Sequence, residues 1–348
     1  MARLSGRVWA PKAKAVTLVL EPGDGKEKED EEVALRAAGD HYFEADVADL
    51  GPGARYRFRL DGGPAFPDPA SRYQPEGVHG PSEVVDPDRY VWHDAGWEGV
   101  VQKDLVFYEL HVGTFSPEGT FRGVQERLPY LRDLGVTAVE LMPVADFPGR
   151  WNWGYDPAAL YAPSRAYGTP DDLRALVDAA HGLGLAVFLD VIYNHLGPDG
   201  AYVAAFAPMF TEKHHTPWGQ AVNLDDVHGD GVRALFFDNA LHWLRDYRID
   251  GLRLDATQDI IFTMEDLKRL PSVTRLHFIE CAGNRSNPRH KTVQETHGMT
   301  SCAEWTGVLL TVLLKEAGVK GGAPWVIAEG DEEVKGASTF PLAKAMDD

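Results

Sequence analysis

The stretches Ala186-Val187-Phe188-Leu189-Asp190-Val191-Ile192-Tyr193-Asn194-His195 and Asp250-Gly251-Leu252-Arg253-Leu254-Asp255 decide how this chain is to be read. Each is a short apolar run, which predicts buried strands over 186–191 and 251–255. The polar residues crowd the C-terminal ends of these runs. Residues two apart on a strand face the same way, so Arg253 and Asp255 share a face. An arginine beside an aspartate favours the ionised carboxylate. Taken alone, the pair also fits an ordinary structural ion pair.

Working back toward the N-terminus, Leu105 to Val112 reads as a buried strand. A helical stretch follows, with Val124, Leu128, Leu131 and Leu134 at helical spacing, ending at Gly135. Ala138 to Met142 is a second strand. A helix from Pro170 to Gly184 starts with proline and ends with glycine. A further helix, from about Val232 to Tyr247, precedes the strand that carries Arg253. Four strand–helix units in series predict a parallel sheet with right-handed crossovers. Long loops follow the strand C-termini, where barrel enzymes place their chemistry. In the second of these loops, Trp151 and Trp153 read as loop packing. Tyr155 reads as an aromatic platform and Asp156 as a further acid.

Residues 1–100 have a different period. Arg7–Pro11, Ala15–Leu20, Tyr42–Val47 and Arg55–Leu60 read as short strands separated by turns such as Gly51-Pro52-Gly53. This spacing predicts a small β-sandwich. The charged run from Lys26 to Glu32 reads as a solvated hairpin turn.

Past Ile261 the pattern changes again. Phe262–Leu267 looks like a helix start, Leu276–Ile279 a strand, Val308–Ala317 a helix and Trp325–Ala328 a strand. Ala282–Ser301 reads as a ligand loop. The expected layout is a sandwich over 1–100, the first half of a (β/α)8 barrel over 101–261, and a truncated α+β tail over 262–348.

Composition narrows the partners. Among 348 residues, Lys plus Arg number 34 and Asp plus Glu 53, a formal charge of −19. That disfavours nucleic acid and anionic membranes, which need positive charge. The N-terminus lacks a signal-peptide core, and no apolar run reaches the roughly 18–20 residues that span a bilayer. The two cysteines, Cys281 and Cys302, lie in the last quarter. A cytoplasmic, reducing compartment is expected.

The two opening motifs resemble the first and second conserved regions of the α-amylase superfamily. Phe66-Pro-Asp-Pro-Ala-Ser-Arg-Tyr-Gln-Pro75, Gly77-Val-His-Gly-Pro-Ser82, Tyr108-Glu-Leu-His-Val-Gly-Thr-Phe-Ser116 and the run from Phe206 to Asp225 narrow this to the maltooligosyltrehalose trehalohydrolase family. The resemblance covers about residues 1–260. It implies a retaining glycosidase that cleaves the α-1,4 bond next to a terminal trehalose and releases trehalose. It implies Asp255 as nucleophile and Arg253 as its orienting partner, with Asp190 supporting Arg253. Asn194 and His195 would bind the sugar, Tyr155 would stack under it, and Asp156 would lie beside it. The partner would be maltooligosyltrehalose or another α-glucan, and no cofactor is implied.

A retaining glycosidase also needs a general acid about 5–5.5 Å from its nucleophile. In this family it is a glutamate at the end of the fifth strand, and Glu280 stands after an apolar strand. Its neighbours, however, resemble a sulfite oxidase-type molybdopterin domain: Phe278-Ile-Glu-Cys281-Ala-Gly-Asn284, Thr296-His-Gly-Met-Thr-Ser301, Glu304-Trp-Thr-Gly-Val308 and Gly336 to Ala345. There the matching cysteine binds molybdenum, so Cys281 would be that ligand. A buried thiol is the other reading, and bound molybdopterin is not expected.

The chain thus reads as two unrelated enzyme pieces joined near Ile261, with the glycosidase impaired. Three alternatives stay open: a relative of glycogen branching enzyme, a molybdenum oxidoreductase acting through the tail, and a glucan-binding fragment without turnover.

Overall fold

In a computed structural model the chain divides into two compact units, Met1–Ile260 and Ile261–Asp348. The structure describes residues 4–21, 30–47, 50–216 and 219–256, and in the tail only 272–280, 300–308, 325–329 and 337–341.

The first unit opens with two facing sheets. β1 (Leu4–Trp9), β5 (Tyr42–Val47) and β4 (Arg36–Ala37) form one. The other contains β2 (Val16–Leu20), β3 (Glu31–Ala34), β6 (Arg55–Leu60), β7 (Ala65–Phe66) and β8 (Ser82–Glu83). Alternating residues of both sheets meet in one core of Val8, Val16, Leu18, Leu20, Phe43 and Phe58. Phe206, from far along the chain, completes that core. Of the charged run expected as a turn, Glu31 and Glu32 lie instead in β3, paired with Leu20 and Val19. The residues before Asp30 lie outside the described ones.

The second layer is a four-stranded parallel sheet in the order β16, β13, β10, β9. Chain order is β9 (Phe107–Leu110), α1 (Val112–Phe115), α2 (Phe121–Gln125), α3 (Leu128–Leu134) and β10 (Ala138–Leu141). The loop after β10 carries β11 (Ala145–Asp146) and β12 (Ala159–Pro163) and leads to α4 (Pro170–Gly182). Then come β13 (Ala186–Val191), α5 (Val203–Phe206), β14 (Phe210–Thr216), β15 (Gly219–Val222), α6 (Gly229–Asp246) and β16 (Gly251–Leu254). Every pairing in this sheet is parallel.

Local chemistry sets these boundaries. Thr169 and Asp172 form a capping box ahead of α4, with Pro170 at the first helical position. The helical stretch expected to run through Val124 and Leu134 is broken into α2 and α3, with Pro129 in the first turn of α3. Proline fits there because that position has no intrahelical N–H bond to lose. Gly135 closes α3 at φ 96°, a left-handed conformation that favours glycine.

The strand expected to be buried over 105–112 is not. Val106 is 52% exposed and Phe107 47%, while Leu110 is buried. β9 is an edge strand of the sheet among the described residues, so one of its flanks has no neighbour there.

The segment between the two layers straps the end of α4. Tyr90 Oη and His93 N donate to the Asp178 carboxylate. Asp94 and Asp250 both bond the His181 ring, at 2.7 and 3.0 Å. Trp97 stacks on that ring at 4.6 Å and donates Nε1 to Asp250. Arg248 pairs with Asp94 from outside.

In the second unit, β17 (Ser272–Glu280) pairs antiparallel with β18 (Thr300–Val308), and β19 (Trp325–Glu329) with β20 (Ala337–Pro341). Strands were expected near 276–279 and 325–328. The ligand loop was expected to extend to Ser301 and a helix to begin at Val308, yet both residues are in β18. The helix start at Phe262–Leu267, the loop from Ala282 to Met299 and the remaining helical residues 309–317 lie outside the described residues.

Candidate active site

The parallel sheet carries its charged residues at the C-terminal ends of β13 and β16. Asp190 and Arg253 are register partners on these two strands. Arg253 Nη1 donates to Asp190 Oδ2 at 2.7 Å and to Asp255 Oδ1 at 2.6 Å. Tyr155 Oη donates to the same Asp190 oxygen at 2.9 Å. The arginine therefore bridges two carboxylates, one buried and one partly open to solvent.

Burial raises the Asp190 pKa to about 6, against the lowering effect of Arg253 and Tyr155. Tyr155 is pushed up, first by burial and then by the negative charge of Asp190. Burial works against the Arg253 charge, but Asp190 and Asp255 outweigh it and raise its pKa further. Asp190, Arg253 and Asp255 form a carboxyl–guanidinium–carboxyl series. Asp255 is the less buried of the two carboxylates. The backbone turns sharply just after it, where Ala256 takes a left-handed φ of 48°.

The loop from Pro143 to Asp156 places Tyr155. Gly154 sits at φ 96°, and a Cβ there would lie 2.2 Å from the Pro143 carbonyl oxygen. Only glycine allows that approach. Asn152 ties the loop from within. Its Oδ1 accepts from Gly154 N, and its Nδ2 donates to Asp156 at 3.0 Å. His195 Nε2 donates to the Tyr155 carbonyl at 2.8 Å, which places a proton on that nitrogen.

Tyr155, Asp190, His195, Arg253 and Asp255 are thus brought together, with Asp156 exposed beside them. Asn194 is not part of the surface. It is 0% exposed, and its amide meets no hydrogen-bond partner among the described residues.

Glu280 was the candidate general acid. It ends an antiparallel hairpin strand, opposite Thr300, rather than a fifth parallel strand. Cys281, the candidate molybdenum ligand, lies outside the described residues. Among the described residues no group of three or more His, Cys, Asp or Glu could hold a metal.

Sequence reading missed Glu140. It lies in register with Glu109 and Phe188, one layer below Asp190. Burial, with Glu109 and Asp190 nearby, raises its pKa. Its position in an apolar strand was the available signal.

Comparison with known proteins agrees with this layout. Residues 2–74 match carbohydrate-binding module 48 (isoamylase N-terminal domain), and residues 80–218 match the alpha amylase catalytic domain. Residues 244–348 match the oxidoreductase molybdopterin binding domain, a match that begins upstream of Ile261 and takes in β16. Malto-oligosyltrehalose trehalohydrolase of Deinococcus radiodurans is 50% identical over 252 residues, 72% of this chain and 40% of that protein. The Saccharolobus solfataricus enzyme is 48% identical over 73% of this chain and 44% of its own length. A 1,4-alpha-glucan branching enzyme of Vibrio parahaemolyticus is more distant, at 35% identity. A putative alpha amylase of Salmonella typhimurium, of known structure, shares 47% identity at a TM-score of 0.68, covering 74% of this chain and 43% of that one. No helix among the described residues is long and apolar enough to cross a membrane. The chain spans less than half the length of these trehalohydrolases. Over about 72% of its length, this chain is a homologue of the malto-oligosyltrehalose trehalohydrolases, carrying a module 48 sandwich and part of an α-amylase catalytic domain.

Proposed function

We propose that the site takes maltooligosyltrehalose, with Asp255 as the nucleophile for the α-1,4 bond next to the terminal trehalose. The observation that carries this reading is the Asp190–Arg253–Asp255 series at the mouth of the parallel sheet. Arg253 holds the Asp255 carboxylate in place by a hydrogen bond, as attack on an anomeric carbon requires. Tyr155 and His195 supply a ring and an N–H beside it. Asp190 and Asn194 are buried behind these groups, with Asn194 the second candidate for a bond to the sugar, and Asp156 borders the site.

A retaining cleavage needs a proton donor for the departing oxygen. With Glu280 on an antiparallel hairpin, we infer low turnover in this chain, because a missing acid–base group costs about 10²–10⁴-fold. Binding without turnover is the second reading, supported by the same placement of Glu280. The assay is trehalose release from maltotriosyltrehalose. Weak release, abolished in Asp255→Asn with unchanged folding, is expected. Release at full family rates would refute the impairment, and an active Asp255→Asn variant would refute the nucleophile.

A further inference from the structure

Trp151 and Trp153 were expected to pack within their loop, and they do not. They are 69% and 73% exposed. A tryptophan in a folded protein normally buries about 150–250 Å² of surface, so two open indoles in one short loop call for a reason.

The residues between and after them are held firmly. The Asn152 carbonyl accepts from His111 Nε2 at 2.8 Å and from Tyr167 Oη at 3.3 Å. The Asn152 side chain bonds Gly154 and Asp156, and Gly154 is locked against Pro143. The backbone is thus pinned at Asn152 and Gly154, and the tryptophans at the alternate positions remain outside. Arg150 stands 5.2 Å from the Trp151 ring centre, a cation–π contact that steadies that ring. Trp153 is two residues from Tyr155, at most about 7 Å along the backbone. Tyr155 bonds Asp190 inside the site. The two indoles therefore stand exposed on the same loop that delivers Tyr155 to Asp190.

We propose that Trp151 and Trp153 form a rigid stacking platform for glucose units of an α-glucan beyond the unit held at Asp255. This rests on the reading that the site takes an α-glucan. A glucose ring presents an apolar C–H face and a rim of hydroxyls. An indole offers a flat, electron-rich face that the C–H face covers. A loop already pinned costs little ordering on binding, so stacking goes into affinity.

The test is calorimetric titration of the full chain, as Asp255→Asn so that no ligand is consumed, with maltoheptaose. Trp151→Ala and Trp153→Ala are each expected to weaken binding about tenfold, and the double variant to remove it. Tyr130→Ala, a comparably exposed aromatic on α3, should bind like its parent. Equal affinity in parent and tryptophan variants overturns the proposal. So does a parent that binds no maltoheptaose at millimolar concentration, or an equal loss in Tyr130→Ala. Intact, tryptophan-dependent binding beside absent trehalose release would instead sink only the catalytic reading.

Discussion

Arg253 and Asp190 face each other as register partners on adjacent parallel strands, 2.7 Å apart, and Arg253 reaches Asp255 with the same nitrogen. One guanidinium thereby couples the charge of a buried carboxylate to that of the open one.

This coupling predicts an acid limb. Asp190 has its pKa raised to about 6, so it is anionic above that pH and neutral below it. As pH falls through about 6, Arg253 loses a charged partner and its hold on Asp255 loosens. Maltoheptaose affinity, measured from pH 4.5 to 7.5, should drop on the acid side in the parent. Asp190→Asn should bind weakly at every pH and show no limb near 6. A limb that persists in the variant would assign it to another group.

A second pH effect concerns stability. Burial disfavours the His181 imidazolium, but bonds to Asp250 and Asp94 outweigh this and raise its pKa above the ordinary value of about 6.5. Trp97 and the Asp94 partner Arg248 complete its surroundings. A raised imidazole pKa contributes stability that is complete below about 6.5 and is lost as pH rises through the folded value. The melting temperature of the parent should therefore fall from pH 6.5 to 8.5 relative to His181→Gln. Parallel melting curves across that range would rule out a titrating His181.

Gly251 carries a steric prediction. A Cβ at this position would lie 2.3 Å from the Phe188 ring, its register partner on β13. Gly251→Ala should cost about 1–3 kcal/mol in urea unfolding, as overpacking does. Adding Phe188→Leu should recover part of the loss. An additive double variant would mean that the two positions are not in conflict.

For the tail, the expected result is no stoichiometric molybdenum. One thiolate, Cys281, gives neither closed coordination nor the surrounding bonds that orient a metal. A chain of formal charge −19 also repels an anionic pterin. The protein should be made in a host that synthesises the cofactor, and molybdenum measured per chain. One metal per chain, lost in Cys281→Ser, would reverse this expectation.

The layers were legible because periodicity is local. The run from Ala186 to Val191 and the capping residues around Pro170 state their own structure. The meeting of Asp190 with Arg253 came from the resemblance to the α-amylase superfamily, and the register of β13 and β16 places the two side by side. Three features were not legible. The Asp94 and Asp250 partners of His181 come from 87 and 69 residues away, and no spacing rule links them. The exposure of Phe107 depends on which neighbours its strand has, and an apolar strand reads the same at an edge and at a centre. Trp151 and Trp153 gave the composition of a packed loop, whereas Asn152 and Gly154 hold that loop by backbone geometry.

Phe206 belongs to α5, yet its ring fills the middle of the sandwich core and meets Phe58 edge-on. The Lys12 amide and ammonium also bond to carbonyls of that helix. The carbohydrate-binding module is consequently not an exchangeable cassette. A graft that ends near residue 100 would leave a hole the size of a phenyl ring, so transplanting the sandwich onto another catalytic domain requires a host helix that offers an aromatic plug at the same place.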